Sequence, residues 1–308
     1  MTQRSVEFES QAATLRGTLF LPERSGSNEE RKPPIVIMAH GFSASAHGMV
    51  ADAYAEVFRQ AGLAVLLYDH RNFAASDGEP RRQVDRWQQT IGYRDGLGFA
   101  AGLGDVDADR MGIWGDSSSG ASVLVVGALD ARVKAVVAQA PACGRSLPPD
   151  DADGKVFRAM ASIYAAGALG DDPAVDGPMP VVSPDQLSLR SALTPITAFR
   201  WFIRYGAVFG TGWQNQVTIA RRGAEEPYEP VLAACQLRAP TLYLISPEDE
   251  MPGANPQVAR RAFDVTPGDK ELFDLEGGHF GLLYHPGPIF DTVSGAQRDF
   301  LVRRLLTN

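Results

Sequence analysis

The sequence predicts an α/β protein whose mostly parallel central sheet is flanked by helices and interrupted by a long insertion. Three observations predict it. Residues 33–41, PPIVIMAHG, form an apolar run closed by prolines and a glycine, as a strand buried on both faces should be. Runs of this kind alternate with helix-length segments, the rhythm of βαβ units. The rhythm stops near Pro141 and resumes at Thr241.

Taken in order, residues 4–9 and 14–21 alternate apolar and polar and read as two antiparallel strands around a short turn. The polar stretch 23–32 reads as a loop, and 33–41 as the first parallel strand. Residues 49–61 follow as a helix, 64–68 as a strand, 87–103 as a helix and 110–114 as a strand. Residues 120–129 read as a helix and 133–139 as a strand. From 142 to about 239 no clean strand signal appears, but prolines, glycines and helix-prone pieces such as 156–166 and 195–208 do. Regular alternation returns with 241–246, 255–263, 271–275 and a terminal helix from about Asp291. The expected organisation is a core of residues 1–141 and 237–308, with 142–236 forming a largely helical cap.

The chain has 308 residues, enough for one or two domains at roughly 150 residues each. Its formal net charge of -8 argues against a nucleic-acid partner, whose binding surfaces are basic. No apolar run approaches the ~20 residues that cross a bilayer, and the N-terminus carries no signal-peptide pattern. Cys143 and Cys235 are the only cysteines, too few for a disulfide framework or a thiolate metal site. The five histidines show no metal-ligand spacing. A soluble, reduced, cytoplasmic protein without metal or organic cofactor is expected, with a small molecule as its partner and a homo-oligomer as an option.

Four segments carry chemistry, each after an expected strand. Gly115-Asp116-Ser117-Ser118-Ser119-Gly120 joins the strand at 110–114 to a helix. A serine on such a sharp turn has a strained backbone and needs small neighbours two residues away on each side. Gly115 and Ser119 supply them, so Ser117 is the candidate nucleophile. Ser118 and Ser119 lack a glycine two residues before. His40-Gly41-Phe42, after the first parallel strand, offers the Phe42 N–H, which together with the Ser118 N–H could meet a developing oxyanion. His40 itself reads as a brace for the turn, and His47 as a solvent-facing residue. The turn Pro247-Glu248-Asp249-Glu250-Met251-Pro252 holds three carboxylates; Asp249, which begins an Asp-x-x-Pro turn, is the candidate acid, with Glu248 and Glu250 in reserve. Gly277-Gly278-His279 follows the last strand and offers the general base, with His285 as rival. The chain order Ser117, Asp249, His279 is the serine–acid–histidine order of one triad architecture and differs from those of other triad enzymes.

With these segments and Tyr68-Asp69-His70-Arg71-Asn72-Phe73-Ala74-Ala75-Ser76-Asp77-Gly78, the chain resembles the α/β hydrolases. The resemblance is to the branch around dienelactone hydrolases, X-prolyl dipeptidyl-peptidase-like hydrolases and fungal polyketide transferases or thiohydrolases. It covers nearly the whole core and weakens across the cap. Two departures stand out: Ser119 occupies a position where glycine is usual, and Asn72 with Ala74 stand where Arg-Gly-x-Gly is commoner. A Gly-Asp-Ser elbow is also similar to that of the hormone-sensitive-lipase group, but Phe42 replaces the second glycine of that group's His-Gly-Gly loop. The resemblance implies an α/β-hydrolase fold and acyl transfer to water, most simply from an ester or thioester. Amide or C–C cleavage by the same residues, or a silent binding protein, are alternatives. The cap aromatics Phe199, Trp201, Phe202, Tyr205, Phe209, Trp213 and Tyr228 are expected to be mostly core, with some facing an apolar or aromatic substrate.

Overall fold

The computed structural model describes residues 3–23, 31–170 and 172–307, so most of the polar loop expected at 23–32 lies outside the described residues. Eight strands form the main sheet: β1 (Gln3–Ser10), β2 (Ala13–Phe20), β3 (Pro34–Ala39), β4 (Ala64–Tyr68), β6 (Asp107–Asp116), β7 (Val133–Gln139), β10 (Thr241–Ile245) and β11 (Lys270–Asp274). Their spatial order is β1-β2-β4-β3-β6-β7-β10-β11. The β1–β2 and β2–β4 pairs are antiparallel, and every pair from β4 to β11 is parallel.

The central strands are apolar on both faces because both are covered. On β3, Ile35 and Ile37 join a cluster with Trp87, Tyr93 and Leu97 of α2 (Arg86–Ala101) and the apolar residues of α3 (Ser117–Leu129). Val36 and Met38 pack on the opposite side with Tyr54 and Phe58 of α1 (Ala51–Gln60) and Phe300 of α9 (Pro288–Leu305). Two helices on that second side and α2, α3 and α7 (Pro256–Val265) on the first make a three-layered α/β core. Asp85 caps α2 by accepting from the N–H groups of Trp87 and Gln88. No helix of the described residues is long and apolar enough to cross a membrane.

The inserted segment carries the two helices expected of it, α4 (Lys155–Ala166) and α5 (Ile196–Tyr205), and a short α6 (Pro230–Ala234) that was not expected. It also carries strands where none was expected. β8 (Ala174–Met179) pairs antiparallel with β9 (Val217–Arg221), and β9 pairs parallel with the two-residue β5 (Gln83–Val84). β5 belongs to the stretch before α2, so this second sheet takes a strand from outside the inserted segment. Beside this seam Arg222 forms a buried ion pair with Asp85 at 2.7 Å, and the Trp87 indole N–H donates to the Pro227 carbonyl at 3.1 Å.

Candidate active site

The elbow forms at the junction of β6 and α3, and its geometry explains its small residues. Ser117 has a φ of 53°, left-handed backbone that a residue with a side chain adopts at a cost. A Cβ on Gly115 would lie 2.3 Å from the Ser119 carbonyl oxygen, and one on Gly120 would lie 2.8 Å from that of Gln139. Ser119 is fully buried and is used: its hydroxyl donates to the His40 carbonyl at 2.7 Å and accepts from His70 Nε2 at 2.8 Å. Burial pushes the His70 imidazole down to about 3, so the ring is neutral with its proton on Nε2. The serine that replaces glycine here therefore ties the ends of β3 and β4 to the elbow. Asn72 and Ala74, the other departures, have φ of 73° and 40°, the left-handed backbone that glycines at those positions would adopt without strain.

Three of the residues singled out in the sequence come together here. The Ser117 hydroxyl donates to His279 Nε2 at 3.0 Å, and His279 Nδ1–H donates to Asp249 Oδ2 at 2.7 Å. The Asp249 and His279 side chains are each only 3% exposed, so the acid is buried rather than on an open acidic turn. Its other oxygen accepts the Met251 N–H at 2.9 Å, which fixes the orientation of the carboxylate. Burial pulls the His279 pKa down, but the hydrogen bond and charge of Asp249, with the charges of Glu250 and Asp116, outweigh that. The imidazole is held above its ordinary value.

The reserve residues take other places. Glu248 is exposed. Glu250 accepts the His279 backbone N–H at 2.8 Å and the Thr197 hydroxyl. His285 is exposed, its ring against Phe290 and its backbone bonded to the Tyr205 hydroxyl. His47 is exposed and reaches Thr18 at 3.1 Å. His40 is a brace: Nδ1 accepts the Gly41 N–H at 2.8 Å and stands 2.9 Å from Asp116, while Nε2 meets the Met49 carbonyl. Burial opposes charging of the His40 ring, but the charge and hydrogen bond of Asp116, with the Met49 carbonyl and the charge of Asp52, outweigh it and leave its pKa raised.

Beside Ser117 opens a cleft of about 800 Å³ between the main sheet and the inserted segment, lined by Phe42, Ser118, Trp87, Ile219, Tyr228 and Leu232 among others. Among the described residues the Phe42 N–H has no acceptor. The Ser118 N–H lies in the first turn of α3, where N–H groups lack an intrahelical partner. On the other side of Ser117 lies a small cavity of about 30 Å³, walled by Trp201, Phe202, Phe280 and His279. Of the aromatics of the inserted segment, Tyr228 lies on the main cleft, Trp201 and Phe202 are buried beside the histidine, and Phe209 is fully exposed. The residues that sequence reasoning missed are His70, Thr197 and the anchoring role of Glu250. Each acts through a contact between segments far apart in the chain.

A mostly parallel sheet with a strained serine turn after β6 and a histidine loop after β11 defines an α/β-hydrolase-fold protein. No family model matches the chain. It is similar to the thiohydrolase aneE of Aspergillus aculeatus, 28% identical and covering 97% of this chain and 93% of that protein. It is also similar to the quorum-quenching protein AidA of Acinetobacter baumannii, at 27% identity over 97% of this chain and 94% of that protein. Among solved structures, the α/β hydrolase GrgF from a Penicillium species superposes with a TM-score of 0.71 at 22% identity, covering 99% of this chain and all of that one.

Proposed function

We propose that this protein is a serine hydrolase that cleaves a carboxylic ester or thioester of a small apolar or aromatic substrate through an acyl-enzyme on Ser117. The observation that carries the reading is the unbroken relay from Ser117 through His279 to Asp249 at the edge of the cleft. His279 takes the hydroxyl proton as Ser117 Oγ attacks the carbonyl carbon, and Asp249 holds the tautomer and stabilises the imidazolium. The oxyanion is met by the Phe42 and Ser118 N–H groups, each donor of this kind lowering the barrier by about 3 kcal/mol. Collapse expels the alkoxide or thiolate, which leaves with the proton from His279. Water then attacks the acyl-enzyme by the same route, releasing the carboxylic acid and restoring the Ser117 hydroxyl. The aromatic and aliphatic lining contributed by Trp87, Ile219, Tyr228 and Leu232 supports an apolar acyl or leaving group. The thiohydrolase name of one relative supports a thioester as well as an ester.

The test is hydrolysis of p-nitrophenyl butyrate and S-phenyl thiobutyrate with and without EDTA. Turnover indifferent to EDTA, and at least ~10³-fold lower in a folded Ser117→Ala variant, is expected. Turnover that disappears on chelation and returns with a divalent metal would overturn the reading.

A further inference from the structure

Glu250 is not needed as the triad acid, since Asp249 holds the His279 ring, yet its carboxylate is committed at both oxygens. Oε2 accepts the backbone N–H of His279 at 2.8 Å, and Oε1 accepts the hydroxyl of Thr197 in the first turn of α5. The two adjacent acids thus grip one residue at two points, Asp249 at the imidazole and Glu250 at the main chain. The glycines before His279 fit the second grip. Gly277 and Gly278 have φ of 104° and 68°, and a Cβ on Gly278 would lie 2.6 Å from Glu250 Oε2. Helix α5 is fastened to the same loop elsewhere: the Trp201 indole N–H donates to the Leu283 carbonyl at 2.8 Å, and the Trp201 and Phe280 ring centroids lie 5.5 Å apart.

We propose that Glu250 is a positioning residue that holds His279 in register with Ser117 and makes that register depend on the docking of cap helix α5. Because the hydrogen bond from Thr197 ends on the carboxylate that anchors the histidine backbone, a cap that lifts releases one side of that anchor. Closure of the cap over substrate and readiness of the base then become one event. The proposal rests on the serine-hydrolase reading for its kinetic part only.

Glu250→Ala removes both bonds, and Glu250→Gln keeps an acceptor for the His279 N–H while removing the charge. Thr197→Val cuts only the tie to the cap. All three are assayed on p-nitrophenyl butyrate, with thermal melts as a folding control. Loss of a hydrogen bond to a charged group predicts a kcat ~10- to 100-fold lower in Glu250→Ala, with KM changed far less. Glu250→Gln should recover most of that loss, and Thr197→Val should lower kcat less than Glu250→Ala does.

The second readout is NMR titration of the His279 imidazole without substrate, which needs no turnover. The charged groups around that ring are Asp249 and Glu250 from the loop after β10 and Asp116 from the elbow, itself paired with His40. Helix α5 meets the loop through the uncharged Thr197, Trp201 and Phe202 beside His279 and, at its far end, through Tyr205 and the Arg204 guanidinium, which stands over the Tyr284 ring and is unchanged in all three variants. Removing the Glu250 charge must therefore lower the His279 pKa, moving the acid limb of activity to lower pH in Glu250→Gln. An Ala variant that keeps wild-type kcat, a Gln variant no more active than the Ala variant, or an unshifted His279 titration in Glu250→Gln would each overturn the proposal. A shifted titration in a protein that hydrolyses no ester would sustain the positioning role and sink the serine-hydrolase reading.

Discussion

Replacing Asp249 by asparagine keeps the size of the side chain and reverses the chemistry of one hydrogen bond. In the native turn Oδ1 accepts the Met251 N–H at 2.9 Å and Oδ2 accepts from His279 Nδ1–H at 2.7 Å. An asparagine must keep its carbonyl on the Met251 N–H, because two donors cannot face each other there. Its amide NH₂ then points at His279 Nδ1, which can pair with it only as an acceptor. The ring proton moves to Nε2, facing the Ser117 oxygen 3.0 Å away, and the base that should take the serine proton already carries one. Because both side chains are only 3% exposed, water cannot substitute for the lost geometry. The expected loss is ~10⁴-fold in kcat, about 5.5 kcal/mol of barrier, with KM nearly unchanged and the fold intact. Steady-state hydrolysis of p-nitrophenyl butyrate by Asp249→Asn, beside Glu248→Gln as a neighbour control, measures it. An Asp249→Asn variant within tenfold of wild type, or a Glu248→Gln variant that loses more, would refute the assignment of the acid.

Three further outcomes follow from the same geometry. Since the His279 pKa is raised, the fraction of neutral base falls on acidification from a midpoint above ~6.5, and kcat/KM measured across pH should show that limb, with the activity present on its alkaline side. Ser119→Ala should leave the buried His70 Nε2–H and His40 carbonyl without their shared partner, costing about 1–3 kcal/mol in urea unfolding; an unchanged midpoint would show that the tie carries no stability. Ala74→Gly should stabilise the protein by about 0.5–1 kcal/mol in the same assay, because it relieves left-handed backbone at an alanine.

The core was legible from sequence because burial on both faces leaves an unmistakable record. The runs at 64–68 and 133–139 coincide with β4 and β7, and the expected order of strands and helices matches the chain around the insertion except for the two-residue β5 and the single helical turn at Gly278–Gly281. The strands of the second sheet left no such record. β8 contains Gly177 and Pro178, residues that strand signals exclude, and its pattern is almost wholly exposed. β5 is two residues long and exists only because β9 comes to pair with it from 135 positions away. The site was legible to the extent that chemistry sits in local motifs: the strained turn at Ser117, the acidic turn and the glycine pair before His279. Which of the acids turns inward is a tertiary fact. Asp249 and Glu250 differ by one position, and only the arrival of His279 and Thr197 from other parts of the chain separates the ring partner from the backbone anchor.

The proposed function requires Ser117, strained on its elbow and hydrogen-bonded to His279, to be the nucleophile. Reaction with a fluorophosphonate probe followed by peptide mapping tests it without knowledge of the natural substrate. One probe per chain is expected, attached at Ser117, with labelling abolished in Ser117→Ala and slowed as pH falls through the His279 titration. A probe found on Ser118 or Ser119, or a folded wild-type protein that takes up none, would contradict it.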